Sequence, residues 1–100
     1  MQKITIKKLI WDEQNTSHIA RHKVTPAEVE EVCMGDRIER QGFEQRAFLI
    51  GKTRRGRFLS VVLGRTDQAD MYRPITAFDA SKASIKDYMD EKNRGGEQAA

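Results

Sequence analysis

The sequence predicts one α+β domain, with two helices, a run of four strands and a third helix in chain order. Three observations carry this. Apolar residues recur at helical spacing as far as Met34, the periodicity shortens to that of strands and turns after Gly35, and helical spacing returns after Ser81. The 100 residues leave room for one modest core, and 38% hydrophobic with 33% charged residues fits a globular chain with a heavily solvated surface. No apolar run approaches the roughly 20 residues that cross a bilayer, so no membrane role is expected. Near the start, Ile4, Ile6, Leu9 and Ile10 alternate with Lys and Thr, unlike the unbroken core of a signal peptide, and a cytoplasmic protein is expected. Cys33 is the single cysteine, which excludes an intramolecular disulfide and a zinc site with several thiolates.

Each element has its own signal. A short strand is expected over residues 5–11, followed by Asp12 as helix N-cap and a first helix over residues 13–22. That helix is polar: Trp11, Asn15, His18 and His22 form one stripe, and Ile19 is its one large aliphatic residue. Thr25 and Glu28 then make a capping box around Pro26, with Val24 and Val29 as its hydrophobic staple. The second helix should run to Met34, bury Val29, Val32 and Cys33, expose Glu30 and Glu31, and end on Gly35 in the left-handed position that favours glycine. Residues 37–41, 46–52, 58–64 and 71–78 read as an antiparallel meander. Its second and third strands are apolar nearly throughout, as strands covered on both faces are. Pro74 cannot donate to a ladder and marks an edge or a bulge. Asp79 or Ser81 caps the last helix, over residues 82–92, with Ile85, Tyr88 and Met89 facing inward. Residues 1–92 form the domain and residues 93–100, with Gly95 and Gly96, a flexible tail.

The net charge of +3 is modest, but its distribution is not. Arg46, Lys52, Arg54, Arg55, Arg57 and Arg65 fall in one stretch with no Asp or Glu. Such segregation makes a local field of the kind that attracts a phosphate backbone, and the bland alternative is a solvated cationic hairpin. The glycines do not form a G-x-G-x-x-G or a G-x-x-x-x-G-K-[ST] phosphate loop, no G-x-S-x-G elbow is present, and Cys33 lies on a buried helix face. ATP, dinucleotide and covalent hydrolase chemistry therefore drop out. His18 and His22 sit four apart, but without the glutamate of H-E-x-x-H or a third fixed ligand no metal is assigned. Imidazoles also transfer protons near neutral pH. Cleavage of RNA by its own 2′-hydroxyl needs a base, an acid and fixed positive donors. Of His18 and His22, either is a candidate to give or take a proton, and Arg57, Arg65 and Arg73, or Lys52, are candidates for the third. Lys52, Arg54, Arg55, Arg57 and Lys82 are candidate RNA contacts, and no cofactor is expected.

Three motifs carry a resemblance. Trp11-Asp12-Glu13 with Asn15, His18-Ile19-Ala20-Arg21-His22 and Val24-Thr25-Pro26-Ala27-Glu28-Val29 resemble the N-terminal signature of BrnT-type toxins. Ile50-Gly51-Lys52-Thr53 leading through Arg55-Gly56-Arg57 into Phe58-Leu59-Ser60-Val61-Val62-Leu63 is similar to that family's central hairpin. Tyr72-Arg73-Pro74-Ile75-Thr76-Ala77 is similar to its last strand. The resemblance implies a compact RelE-like fold, with two N-terminal helices and one C-terminal helix on a mainly antiparallel four- to five-stranded sheet. It also implies a ribonuclease toxin of a type II toxin-antitoxin system, neutralised by a cognate BrnA-like antitoxin through which alone operator DNA would be reached. It points to the His and Arg residues of the first helix and to the arginines of the hairpin and last strand as site residues. The sequence departs from the family in two places. Lys23 stands where glycine is usual, and Phe78 where arginine is common at the end of the last strand. The second departure keeps open a weakly catalytic relative, or an interaction module that binds RNA or an antitoxin without cleaving.

Overall fold

A computed structural model of the chain describes residues 4–42 and 45–99. Its elements, in order, are β1 (Lys8–Leu9), α1 (Glu13–Ala20), α2 (Pro26–Met34), β2 (Arg37–Gln41), β3 (Arg46–Lys52), β4 (Phe58–Arg65), β5 (Met71–Asp79) and α3 (Lys82–Ala99). The expected meander forms, and β1 adds a fifth strand, parallel to β5, to give the order β1-β5-β4-β3-β2. Alternation along the strands sends side chains to two faces. Leu49, Leu59, Val61, Leu63 and Ala77 meet Ile19, Val24, Val29, Val32 and Cys33 beneath α1 and α2. On the other face Ile38 and Ile50 pack with Tyr88 of α3, joined by Phe58 and Ala80. The two central strands are covered on both sides because both layers of helix draw on them, and each fully buried Leu or Val contributes about 1.5–3 kcal/mol.

Both helix starts follow from local chemistry. Asp12 accepts from the Asn15 amide while Asn15 accepts from the Asp12 amide, and Thr25 and Glu28 repeat this around Pro26. The polar stripe of α1 separates in space. Asn15 turns inward and is buried, whereas His18 and His22 are exposed. The reason lies at the edge of the sheet. Beyond Tyr72, β5 has no strand on its outer side, since β1 pairs only with Met71 and Tyr72. The Ile10 amide bonds the Tyr72 carbonyl, and the Asn15 Nδ2 takes the next rung, donating to the Pro74 carbonyl at 3.0 Å and to the Ile10 carbonyl at 3.1 Å. Pro74 marks a bulge: Val62 pairs with Thr76 and Leu63 with Pro74, so Ile75 is the extra residue.

Four expectations need correcting. The first helix ends at Ala20, and His22 lies in the turn beyond it. Gly35 has φ −110°, outside the left-handed region; glycine is needed there for space, since a Cβ would lie 2.6 Å from the Glu31 carbonyl oxygen. Met89 is 47% exposed, because α3 docks through Tyr88, on Ile38 and Ile50, and through the Lys92 ammonium, which donates to Asp36 and to the Arg37 carbonyl. The helical backbone of α3 continues past Lys92 to Ala99, through two glycines that cost about 1 kcal/mol each relative to alanine. Lys23 is left-handed, at φ 58°, and so occupies without glycine the conformation that glycine would favour.

Replacing Asn15 by alanine strips the β5 edge of its donor, leaves the Pro74 carbonyl buried without a partner and removes half of the α1 capping box. Stability should fall by about 2–4 kcal/mol. Urea unfolding followed by circular dichroism measures this, and a loss under 1 kcal/mol would show that the edge is satisfied otherwise.

Candidate functional site

The basic residues that neighbour one another in sequence lie at two ends of the sheet. β3 and β4 join through a turn at Thr53–Gly56, with Gly56 at φ 89° and the Thr53 hydroxyl buried beneath it, accepting from the Arg57 amide. Lys52, Arg54, Arg55 and Arg57 therefore stand at this hairpin end. Lys82, which opens α3, follows the β5 terminus to the same end. Arg65 is at the far end of β4, and Arg73 pairs with Gly64 there. An eight-residue strand puts the two groups on the order of 25 Å apart. One phosphate cannot meet both. The single cationic patch expected from the sequence is two patches, separated by the length of a strand.

Arg57 is occupied. Its Nε donates to Asp79 at 2.8 Å, its Nη1 to Glu28 at 3.1 Å and to the Lys23 carbonyl at 2.7 Å, and its Nη2 to the His22 carbonyl at 3.2 Å. The Asp79 hydrogen bond and then the Glu28 pair raise its pKa above the ordinary arginine value. For Glu28 burial is the largest influence and acts upward, but the Thr25 amide and Arg57 together outweigh it and hold the carboxyl below its usual range. Arg73 is likewise paired, its Nε and Nη2 donating to Asp12 at 3.0 and 2.6 Å. The Asn15 amide and then Arg73 lower the Asp12 pKa. At the hairpin, Lys52 and Arg54 border an open groove of about 570 Å³ that also presents Glu30, Glu31 and Asp36, so their field is partly balanced. Arg55, Arg65 and Lys82 are exposed and, among the described residues, have no ion-pair partner.

His18 and His22 come together at the C-terminal end of α1, with ring centroids 5.8 Å apart. His22 is also 6.0 Å from the ring of Phe78, on the open edge of β5. The turn that carries His22 is held by Arg57 through its carbonyl. Arg73 is at the other end of α1, on Asp12, and about 1.7 turns of helix, roughly 9 Å of rise, separate Asp12 from His18. The histidine pair and the Arg57 backbone clamp thus form one cluster, and Arg73 and Arg65 belong to another. Cys33 takes no part, since burial pushes its thiol up to about 12.

The carboxylates carry little sign of their arginine partners in the sequence. Asp12 and Glu28 were visible as helix caps, but that each also binds an arginine 61 or 29 residues away was not. Asp79 carried no local signal beyond a possible cap, which Ser81 fills instead by accepting from the Ser84 amide.

No family model and no curated protein matches the sequence. Among solved structures, the crystal structure of the ribonuclease toxin BrnT of Brucella abortus superposes with a TM-score of 0.61 at 22% identity, over 78% of this chain and 100% of that one. The chain has the BrnT fold. The expected α+β architecture, three helices on a mainly antiparallel sheet, is the architecture found, with β1 as the parallel fifth strand. Within the BrnT fold the histidine cluster lies where the end of α1, the end of β5 and the β3–β4 hairpin converge. Among the described residues no helix is long and apolar enough to cross a membrane.

Two predictions follow the arginines. Arg57→Ala should cost about 2–4 kcal/mol, because it leaves the half-buried Glu28 and two backbone carbonyls without their donor, and Arg57→Lys should recover little, since one ammonium cannot span four acceptors. Thermal melting of both variants tests this, and full recovery by lysine would mean that charge alone matters. The second concerns acid. Asp12 and Glu28 have folded pKa values below their unfolded ones, so their stabilisation is complete above about pH 5 and is lost as the pH falls through 4 and below. The melting temperature should hold from neutral pH to about pH 5 and then drop, less steeply in Asp12→Asn. An equal slope in that variant would remove Asp12 from the account.

Proposed function

We propose that this protein is an endoribonuclease toxin of a type II toxin-antitoxin system, acting in the cytoplasm without a metal or cofactor and neutralised by a cognate BrnA-like, DNA-binding antitoxin. The observation that carries the reading is the pair of exposed imidazoles, 5.8 Å apart, on a fold shared with a ribonuclease toxin. Their chemistry suits transesterification. One imidazole takes the proton of a ribose 2′-hydroxyl as its oxygen attacks phosphorus. The other protonates the 5′-oxygen as its bond to phosphorus breaks, leaving a 2′,3′-cyclic phosphate and a free 5′-hydroxyl. Lys52, Arg54, Arg55 and Lys82 position the backbone beside the histidines, and Arg65 and Arg73 take phosphates several nucleotides further along. Arg57 acts through its hold on the His22 turn, because its donors are engaged.

A second reading is favoured by a specific observation. Arg57 and Arg73 both hold carboxylates, and Phe78 supplies a neutral ring at the end of β5, so fewer guanidinium donors face a developing charge than the sequence promised. Such a protein binds RNA, or an antitoxin, and cleaves weakly or not at all.

Incubation of the purified protein with total RNA at low salt, with and without EDTA, separates the readings. The enzyme reading expects cleavage that survives EDTA, 5′-hydroxyl ends, a fall of about 100-fold or more in His22→Ala and His18→Ala, and a smaller loss in Arg73→Ala. Absence of cleavage at every protein ratio, with binding that weakens as salt rises, would establish the second reading. Co-expression with a small reading frame adjacent to the gene tests the antitoxin, which should suppress both cleavage and growth arrest.

A further inference from the structure

Phe78 is out of place as a core residue. Neither core cluster includes it, its partner across the β4–β5 ladder is Ser60, and it lies on the part of β5 that β1 does not reach. What it meets is His22, at 6.0 Å with planes inclined by 59°, and His22 in turn meets His18 at 5.8 Å and 66°. Three aromatic rings thus run in sequence from the end of β5 to the last turn of α1. In tilted and edge-on contacts of this kind the edge of one ring meets one face of the next, so the rings do not cover one another's second faces as a parallel stack would. Both imidazoles are exposed.

We propose that His18, His22 and Phe78 form a stacking platform for unpaired bases of single-stranded RNA. The inference rests on the reading of this protein as an RNA binder and deepens it, by naming what part of the RNA the histidine cluster grips. Every nucleobase has a π-face, whereas bases inside a duplex are already stacked and paired, so such a platform selects unpaired RNA with little regard to sequence. The surrounding charge agrees. Arg21 and Lys23 are exposed on the same turn, and from Gln14 to Ala27 the chain has no carboxylate. The carboxylate nearest in sequence to Phe78, Asp79, is bound to Arg57. The same guanidinium holds the His22 carbonyl, so a single group ties the backbone beneath one ring to the side chain that follows another before any base arrives. In this light arginine is not simply missing from the end of β5. A phosphate contact has been exchanged for a base contact.

The test uses binding, so that it does not depend on cleavage. A short 2′-O-methyl RNA, which cannot be cut by its own 2′-hydroxyl, is titrated against the wild type and against Phe78→Leu, Phe78→Ala and Phe78→Trp, each checked for unchanged thermal melting. Leucine keeps apolar volume without a π-face. It should weaken binding about five- to thirty-fold, as alanine does, while tryptophan should keep the affinity. The new indole emission should be quenched on adding single-stranded RNA and not on adding a duplex of the same sequence, with Phe78→Trp corrected for Trp11. Wild-type affinity in Phe78→Leu, or absence of quenching, would overturn the platform while leaving salt-dependent binding, and with it the RNA reading, intact. If the wild type shows no salt-dependent binding, the platform and the RNA reading fall together.

Discussion

The end of the molecule that carries the histidines depends on one guanidinium. Arg57 ties together four places at one end of the sheet: the turn after α1, the N-terminal turn of α2, the start of β4 and the end of β5. α1 has eight residues and one large apolar side chain, too little to hold a helix in water by itself. Its position is fixed at one end by Asn15 and Asp12 and at the other by carbonyls that Arg57 collects. Lys23 shows how firmly the second end is held, since a non-glycine residue keeps a left-handed backbone while its carbonyl accepts from Arg57. Arginine suits this task because its planar fork meets several acceptors at once without losing its charge.

Much of the fold was legible because it is written locally. Capping boxes, the proline at the start of α2 and the strand-length apolar runs all act within a few residues, and the bounds of α2, β2 and β3 follow directly. What was illegible is what depends on distance along the chain. The parallel β1–β5 pairing joins residues more than 60 positions apart, and no turn announces it. The end of α3 lies beyond two glycines that read as a stop, and the burial of Asn15 depends on a carbonyl that only the folded sheet presents.

The candidate site divides in the same way. His18 and His22 are neighbours in sequence and in space, so helical spacing was enough to find them. The arginines are different. Nearness in sequence misleads along a strand, because eight extended residues cover most of the molecule, and a cluster counted by position becomes two sites. The partners of Arg57 and Arg73 lie 22 to 61 residues away, so which cations are committed to ion pairs was hidden. Phe78 shows the reverse. As a residue type at a strand end it looked like a loss, and only its contact with His22 gives it a place in the cluster.

The Asn15 rung has a consequence for the protein in a crowd. An open strand edge is a template on which another chain can pair, and copies emerging together from a ribosome are the nearest available chains. On the outer side of β5 that template is spoiled. Residue 74 is a proline with no amide to offer, its carbonyl is already taken, and the extra residue at Ile75 throws an incoming strand out of step. At the middle of β5 the edge is thereby made a poor template for self-addition, a few residues before it reaches the exposed rings.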